Sequence, residues 1–121
     1  RDKLIDCLIG TGFPFKANSD IETYTEMFKT IALNTAGIRR PGAAALDLAN
    51  VAAGRLDGFW EIGLSPWDMA AGALLIKEAG GLVGDLEGED QYLETGKIIA
   101  GNPKIFAQML SALRPHSKKL T

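Results

Sequence analysis

The sequence has 121 residues, of which 46% are hydrophobic, and this length and apolar content suit one domain with its own core. Thirteen Lys and Arg residues against fifteen Asp and Glu, spread without long runs, leave no basic surface for nucleic acid or an anionic membrane. There is no signal peptide and no apolar run near the ~20 residues of a membrane span, so we expect a soluble protein. A single cysteine, Cys7, cannot form an internal disulfide, which suits the cytoplasm.

The first apolar run lies very close to the first residue. Leu4 to Ile9 predict a buried strand that ends at Gly10 and Gly12. The chain opens with Arg1 rather than methionine. We therefore expect this sequence to be a piece of a longer polypeptide.

Helical and strand patterns alternate in the rest of the chain. The loop 11–20 ends in good helix-capping residues, and Pro103 suits the first turn of the last helix. In the second helix Leu46, Ala49 and Ala53 fall on one side. The predicted elements are helices over 21–36, 43–54, 65–81 and 103–114, and strands over 37–40, 56–62, 81–86 and 97–102. The polar tail, 115–121, is expected to fray.

This alternation predicts an α/β fold. We expect a mixed, largely parallel sheet of about five strands flanked by helices, in a single domain over 1–121. Ligands of such sheets bind beyond the carboxyl ends of strands, at helix N-termini. Three joints meet that description, namely "GTGFPF", "RRPGAAA" and "WEIGLSPWD".

Asp68 lies in the first turn of the helix that begins "SPWD". Ser65 can cap this helix, Pro66 suits its first position, and the Asp68 carboxylate can interact with free N–H groups there. This structural role explains Asp68 completely. The same position beyond a strand would also let the carboxylate bind Mg²⁺, which usually takes one or two carboxylates together with water and phosphate oxygens.

Glu61 follows the strand "DGFW" and is expected at the same rim as Asp68. A lone glutamate is usually a solvated surface charge, but one at this rim could accept hydrogen bonds from two hydroxyls of a polyol. The segment Gly42, Ala43 and Ala44 leaves the backbone bare. It could either approach a ligand or form a tight turn. Arg39 and Arg40 just before it could pair with a rim acid, contact an anion or remain solvated.

Other catalytic patterns are not supported. His116 lies in the polar tail without a Ser or Cys partner, which argues against a hydrolytic triad. Cys7 fits a small buried side chain. The "GTG" of residues 10–12 is not completed to a dinucleotide-binding motif, and no Walker A sequence is present.

Taken together, these segments resemble the C-terminal half of the inositol monophosphatase family. "WEIGLSPWDMAAGALLIKEAGG" is similar to its tryptophan-aspartate signature, "GIRRPGAAALDLANVAAGRLDGFWE" to the segment before it, and "GTGFPF" to the start of that half in bacterial members. The similarity runs from about Leu4 to Arg114.

The resemblance implies Mg²⁺-dependent hydrolysis of a phosphate monoester, usually inositol 1-phosphate, and a homodimer such as some family members form. The charge balance and the single cysteine add the expectation of a cytoplasmic protein that contacts neither membrane nor nucleic acid. Asp68 matches the aspartate that binds a metal and contacts the substrate hydroxyl beside the phosphate. Glu61 matches the glutamate that holds ring hydroxyls. Gly42, Ala43 and Ala44 match the backbone segment that touches the ring, with Ala43 at a variable position.

One departure from the family matters. Its other metal ligands, a glutamate and a D-P-x-D-G-x-T stretch, are missing, and "RLDGF" only mimics part of that stretch. We therefore expect this chain to be inactive alone and assign the function to the parent polypeptide. Two alternatives stay open: an interaction or regulatory module linked to RNA metabolism, and a phosphatase for a bisphosphate nucleotide or fructose bisphosphate.

Overall fold

The computed structural model describes residues 2–12, 21–39, 44–62, 64 and 66–117, without the side chains of 21, 44–46 and 117. Five strands within these residues form one sheet in the order β2-β1-β3-β5-β4. The strands are β1 (Leu8–Thr11), β2 (Gly37–Arg39), β3 (Gly58–Glu61), β4 (Leu82–Gly84) and β5 (Ile98–Gly101). The helices are α1 (Ile21–Leu33), α2 (Ala44–Ala52), α3 (Pro66–Glu78), α4 (Tyr92–Thr95) and α5 (Pro103–Ser117).

Four of the five strands run in the same direction. Strand β1 pairs in parallel with β2 and β3, while β5 is antiparallel to both β3 and β4. The predicted mixed, largely parallel α/β sheet is confirmed. Since β1 and β3 are parallel neighbours with Thr11 opposite Trp60, their carboxyl ends meet at one edge of the sheet.

The sheet is covered by helices on both faces. Helices α1 and α5 contact each other on one face, and α2 and α3 contact each other on the other. Alternate residues of β3 and β5 supply the two cores: Trp60 and Ile99 pack in the first, and Phe59 and Ile98 in the second. Burial on both faces explains why these strands are apolar throughout.

Helices α2 and α3 pack very closely at Gly72. A Cβ added there would lie 2.5 Å from Leu48 Cβ, so only glycine allows this approach. Leu48 is fully buried, whereas Ala53 is exposed, so the side of α2 expected from Leu46, Ala49 and Ala53 is not the one that packs most deeply. Asp47 and Leu48 are the buried residues of α2 instead. Contact with α3, rather than the spacing of small residues, therefore sets which side of α2 faces the core.

Two predicted boundaries were wrong. Residues Leu4–Asp6 form a short 3-10 helix, because the Leu4 N–H donates to Gln108 of α5 (2.7 Å) and the turn closes before β1 starts. At the other end, α5 continues through Pro115 to Ser117 instead of ending at Arg114. The Thr30 hydroxyl hydrogen-bonds the His116 ring at 2.9 Å and holds this last turn against α1.

The remaining differences are small. The four-residue helix α4 was not predicted, and residues 118–121 of the expected frayed tail lie outside the described part of the chain. Cys7 is buried, as expected. Of the helices that the structure describes, none combines the length and apolar character needed to cross a bilayer.

Candidate active site

The candidate site lies where β1 and β3 end side by side. Glu61 closes β3, and its side chain turns toward Gly12, the residue after β1. A Cβ added at Gly12 would overlap the Glu61 carboxyl group, so the glycine leaves the space that this carboxyl occupies. The sequence places Glu61 at the rim of the sheet. In the structure this residue is buried, with only 9% of its surface exposed.

Asp68 reaches the same place from the start of α3. Pro66 opens the helix, and Asp68 lies two residues later in its first turn, half-buried. Its negative charge contributes to raising the pKa of Glu61, so the two carboxyl groups are near enough to interact electrostatically. The structure thus brings together the two acids that the sequence placed on either side of "IGLSPW".

A third carboxyl group, that of Asp47, completes the cluster and was missed by the sequence reading. Asp47 lies in the first turn of α2, is 1% exposed, and its Oδ1 has no hydrogen-bond partner. Burial raises its pKa from 3.8 to about 6. Asp47 is the one charged residue in the apolar segment 43–54, and that isolation was a signal that could have identified it.

The environment of Glu61 combines burial with the charges of both other acids. Burial, followed by the charge of Asp47 and then that of Asp68, raises its pKa from 4.5 to about 7. Such shifts are typical of functional sites, where carboxyl groups are held close together in a low-dielectric environment. Chemically, the cluster offers oxygen acceptors and negative charge, which suit hydroxyl donors and cations.

These acids alone are not a complete metal centre. Within 2–12, 21–39, 44–62, 64 and 66–117, no three His, Cys, Asp or Glu side chains are arranged to hold a metal ion. Asp68 nevertheless fits one ligand position of Mg²⁺, because it is a partly accessible carboxylate next to other negative charge. Magnesium commonly takes one or two protein carboxylates and fills its remaining positions with water and phosphate.

Part of the predicted rim lies outside the described residues. Gly42 and Ala43 belong to this part, as do Arg40, Ser65 and the last three residues of "GTGFPF". Ala44 is the first residue of α2, so its backbone lies three residues before Asp47, while its side chain is not described. Arg39 ends β2 in an exposed position.

A family comparison agrees with this geometry. A model described as "Inositol monophosphatase family" matches residues 1–119. The chain belongs to the inositol monophosphatase family. This match extends the resemblance carried by the tryptophan-aspartate segment to almost the whole sequence.

Individual family members are similar in sequence and structure. A Pseudomonas aeruginosa protein named "Nus factor SuhB" is 57% identical over 118 residues, covering 96% of this chain and 44% of its own length. The inositol monophosphatase structure from Anabaena is 40% identical with a TM-score of 0.89, covering 95% of this chain and 46% of its own. The staphylococcal SaIMPase-II with bound inositol monophosphate is 28% identical with a TM-score of 0.83, covering 98% and 46%.

The chain therefore spans less than half the length of the relatives it matches. Its described residues include Asp68, Glu61 and Asp47, which lie at the start of α3, the end of β3 and the start of α2.

Proposed function

We propose that the parent polypeptide carrying this chain is a Mg²⁺-dependent phosphatase that hydrolyses inositol 1-phosphate to inositol and phosphate. The observation that carries the proposal is the convergence of Glu61 and Asp68 at the carboxyl end of β3 and the start of α3, in a chain of this family. The bound inositol monophosphate of SaIMPase-II, a structural relative, supports the choice of substrate.

Each residue of the rim has a defined task under this proposal. Asp68 holds Mg²⁺ and orients the substrate hydroxyl beside the phosphate, while the Glu61 carboxylate accepts hydrogen bonds from ring hydroxyls. The backbone of Gly42, Ala43 and Ala44 contacts the ring. The metal, when bound, polarises the phosphate, activates a water molecule and stabilises the leaving oxygen.

The proposal assigns most of the metal site to the remainder of the parent polypeptide. Asp68 is the single metal carboxylate that this chain would contribute. The 121-residue chain alone is therefore expected to show no measurable phosphatase activity. Mg²⁺-dependent phosphate release from the purified 121-residue chain would contradict this assignment of the metal ligands.

The experiment that tests the proposed function compares substrates on the intact parent polypeptide. Phosphate release is measured with and without Mg²⁺ from inositol 1-phosphate, a bisphosphate nucleotide and fructose 1,6-bisphosphate, for wild type and Glu61→Gln. We expect the highest kcat/KM on inositol 1-phosphate, and a raised KM for that substrate in Glu61→Gln. Preference for either bisphosphate would favour the alternative substrate within the same enzyme class.

A non-catalytic interaction module remains the second candidate. The name "Nus factor SuhB" of the 57% identical relative favours this candidate. It agrees with the RNA-linked role expected for some bacterial family members. Pull-down from a cell extract with wild type and Asp68→Asn separates the two functions. A stable complex that does not change with Asp68→Asn, from a protein without phosphatase activity, would favour the module.

Assembly and location complete the proposal. We expect the parent polypeptide to act as a cytoplasmic homodimer. Size-exclusion chromatography with light scattering measures the assembly, and a monomer at micromolar concentration would contradict it.

A further inference from the structure

A cavity of about 300 Å³ lies at the end of the sheet opposite the candidate active site, and ligand pockets in proteins start at roughly this size. Asp57, the residue before β3, lines the cavity, whereas Glu61 closes that strand at its other end. Asp68 is in the first turn of α3, and Ala79, which follows the last residue of α3, lines the cavity. At about 1.5 Å per residue, Asp68 and Ala79 are about 16 Å apart along the helix axis. The cavity is therefore separate from the site of Glu61 and Asp68.

Helices α2 and α3 both end at this cavity, and both end in a glycine cap. The caps are centred on Gly54 and Gly80, whose φ angles are 80° and 87°. In each helix the glycine N–H donates to the carbonyl three residues back, and the next N–H to the carbonyl five residues back: Gly54 to Val51 and Arg55 to Asn50 in α2, and Gly80 to Lys77 and Gly81 to Ile76 in α3. Such a cap satisfies two of the last carbonyl groups of its helix. The negative end of each helix dipole therefore lies at the cavity.

The lining combines an acid with apolar side chains. The Asp57 Oδ2 atom accepts a hydrogen bond from the Leu8 N–H at 2.7 Å, which keeps the Asp57 carboxyl group at the start of β3. Val51, Leu56 and Ile76 line the same cavity. A ligand that combines a positive charge with an aliphatic chain matches both parts of this lining.

The basic side chains near the cavity do not belong to its lining. None of the described residues that line it is Lys, Arg or His. Arg55 is exposed, and Lys77 lies with its Nζ 5.6 Å from the centre of the Tyr92 ring. The first turn of α5 also starts at this end, and there the Asn102 Oδ1 atom accepts the Ile105 N–H at 2.8 Å. The lining thus combines one carboxylate and two helix C-termini with no positively charged side chain.

We propose that this cavity binds an ammonium or guanidinium group carried on an aliphatic chain. The cation pairs with Asp57 and with the C-terminal ends of α2 and α3, where positive charge is stabilised. Its chain packs against Val51 and Ile76. A Cβ built on Gly54 or Gly80 meets no atom within 4 Å, so space beside both caps is open to a ligand. The group belongs either to a free amine or to an Arg or Lys side chain of a partner protein, and the site does not depend on the proposed phosphatase function.

The test is an NMR titration of the intact parent polypeptide with labelled glycine. The probes are agmatine, the capped peptide acetyl-Gly-Arg-Gly-amide, and the same peptide with neutral citrulline in place of arginine. We expect saturable shifts of the Gly54, Gly80 and Gly81 amide signals, while the signal of Gly12, at the other end of the sheet, stays unchanged. The citrulline peptide should bind about tenfold more weakly than the arginine peptide, the scale of hydrogen bonds to a charged group. Binding of agmatine without the arginine peptide identifies a free amine as the ligand, and binding of the arginine peptide identifies a side chain.

Three variants test the contacts of the cation. Asp57→Asn removes the charge but keeps an oxygen that can accept the Leu8 N–H, so it should fold and bind agmatine about tenfold more weakly. Glu87→Gln is the matched control. It removes the same charge from an exposed residue beyond the carboxyl end of β4 and should bind agmatine as wild type does. Ala79→Lys introduces an ammonium group from an exposed residue of the lining and should abolish agmatine binding.

The outcomes that contradict the proposal are distinct. It is overturned if no cationic probe at millimolar concentration shifts the cap glycines, or if the citrulline and arginine peptides bind equally. Equal agmatine affinity of wild type and Asp57→Asn, at equal melting temperatures, overturns it as well. If Asp57→Asn does not fold, the Ala79→Lys protein decides, because wild-type affinity in that variant contradicts the site. Phosphate release from inositol 1-phosphate is a separate readout, and its absence would contradict the proposed function without affecting this cavity.

Discussion

The contact between Gly72 and Leu48 allows a precise prediction about how helix packing controls the site. In Gly72→Ala, the new Cβ would lie 2.5 Å from Leu48 Cβ and 2.7 Å from Leu48 Cδ1. Non-bonded carbons pack at roughly 3.5–4.0 Å, so α2 and α3 must separate locally by about 1 Å. The Leu48 Cβ belongs to the rigid base of the side chain, and rotation of that side chain cannot remove the overlap.

Two opposing free energies decide the effect on stability. Overpacking a core costs about 1–3 kcal/mol. Replacing glycine by alanine inside a helix stabilises it by about 1 kcal/mol. We therefore expect Gly72→Ala to lower the free energy of unfolding by roughly 1 kcal/mol, the net of these two terms.

The same change should affect activity more than stability. Asp68 lies one turn before Gly72, and Asp47 lies next to Leu48, so separation of the helices moves both acids relative to Glu61. A displacement of about 1 Å near reacting groups can cost about 100-fold in rate. We expect kcat/KM of the parent polypeptide on inositol 1-phosphate to fall at least tenfold.

Urea denaturation and steady-state kinetics check both values. Ala107→Gly is the matched control, because Ala107 is exposed on α5, on the opposite face of the sheet. It should cost about 1 kcal/mol of stability through helix propensity alone and leave kcat/KM unchanged. A Gly72→Ala protein that is more stable than wild type and fully active would refute the packing argument.

The remaining predictions concern Glu61. Gly12→Ala should lower kcat/KM on inositol 1-phosphate at least tenfold, because the new methyl group overlaps the Glu61 carboxyl; kinetics that match wild type would contradict that position of Glu61. Because folding raises the pKa of Glu61 from 4.5 to about 7, the folded state binds more protons, and stability should fall as pH rises from about 4.5 to about 7. This loss is at most about 3 kcal/mol and should shrink in Glu61→Gln, measured by urea denaturation at pH 5 and pH 7.5; equal pH dependence in both proteins would contradict the raised pKa.

The sequence predicts the architecture well because its periodicities are strong. The two-sided burial of "GFWE" and "IIAG" and the small-residue helix after Pro66 give clear signals. Short elements were harder. Leu4–Asp6 has the composition of a strand, but a hydrogen bond to distant Gln108 decides its conformation. No local pattern contains that information.

The site was predicted in part for a similar reason. Glu61 and Asp68 lie close to a strand end and a helix start, and the tryptophan-aspartate signature draws attention to both. Asp47 lies fourteen residues before Glu61 in a helix of apolar appearance, and its proximity follows from the close approach of α2 and α3 at Gly72. Tertiary packing of this kind is not visible in spacing along the chain.

The most direct measurement compares Mg²⁺ binding and Mg²⁺-dependent phosphate release from inositol 1-phosphate in the intact parent polypeptide, for wild type and Asp68→Asn. Circular dichroism and the melting temperature verify that both proteins are folded. If Asp68 is a metal ligand, wild type is active, and Asp68→Asn weakens Mg²⁺ binding and removes most of the rate. Equal Mg²⁺ affinity and equal rates in the two proteins would show that Asp68 only stabilises the start of α3, and would contradict the account of the site.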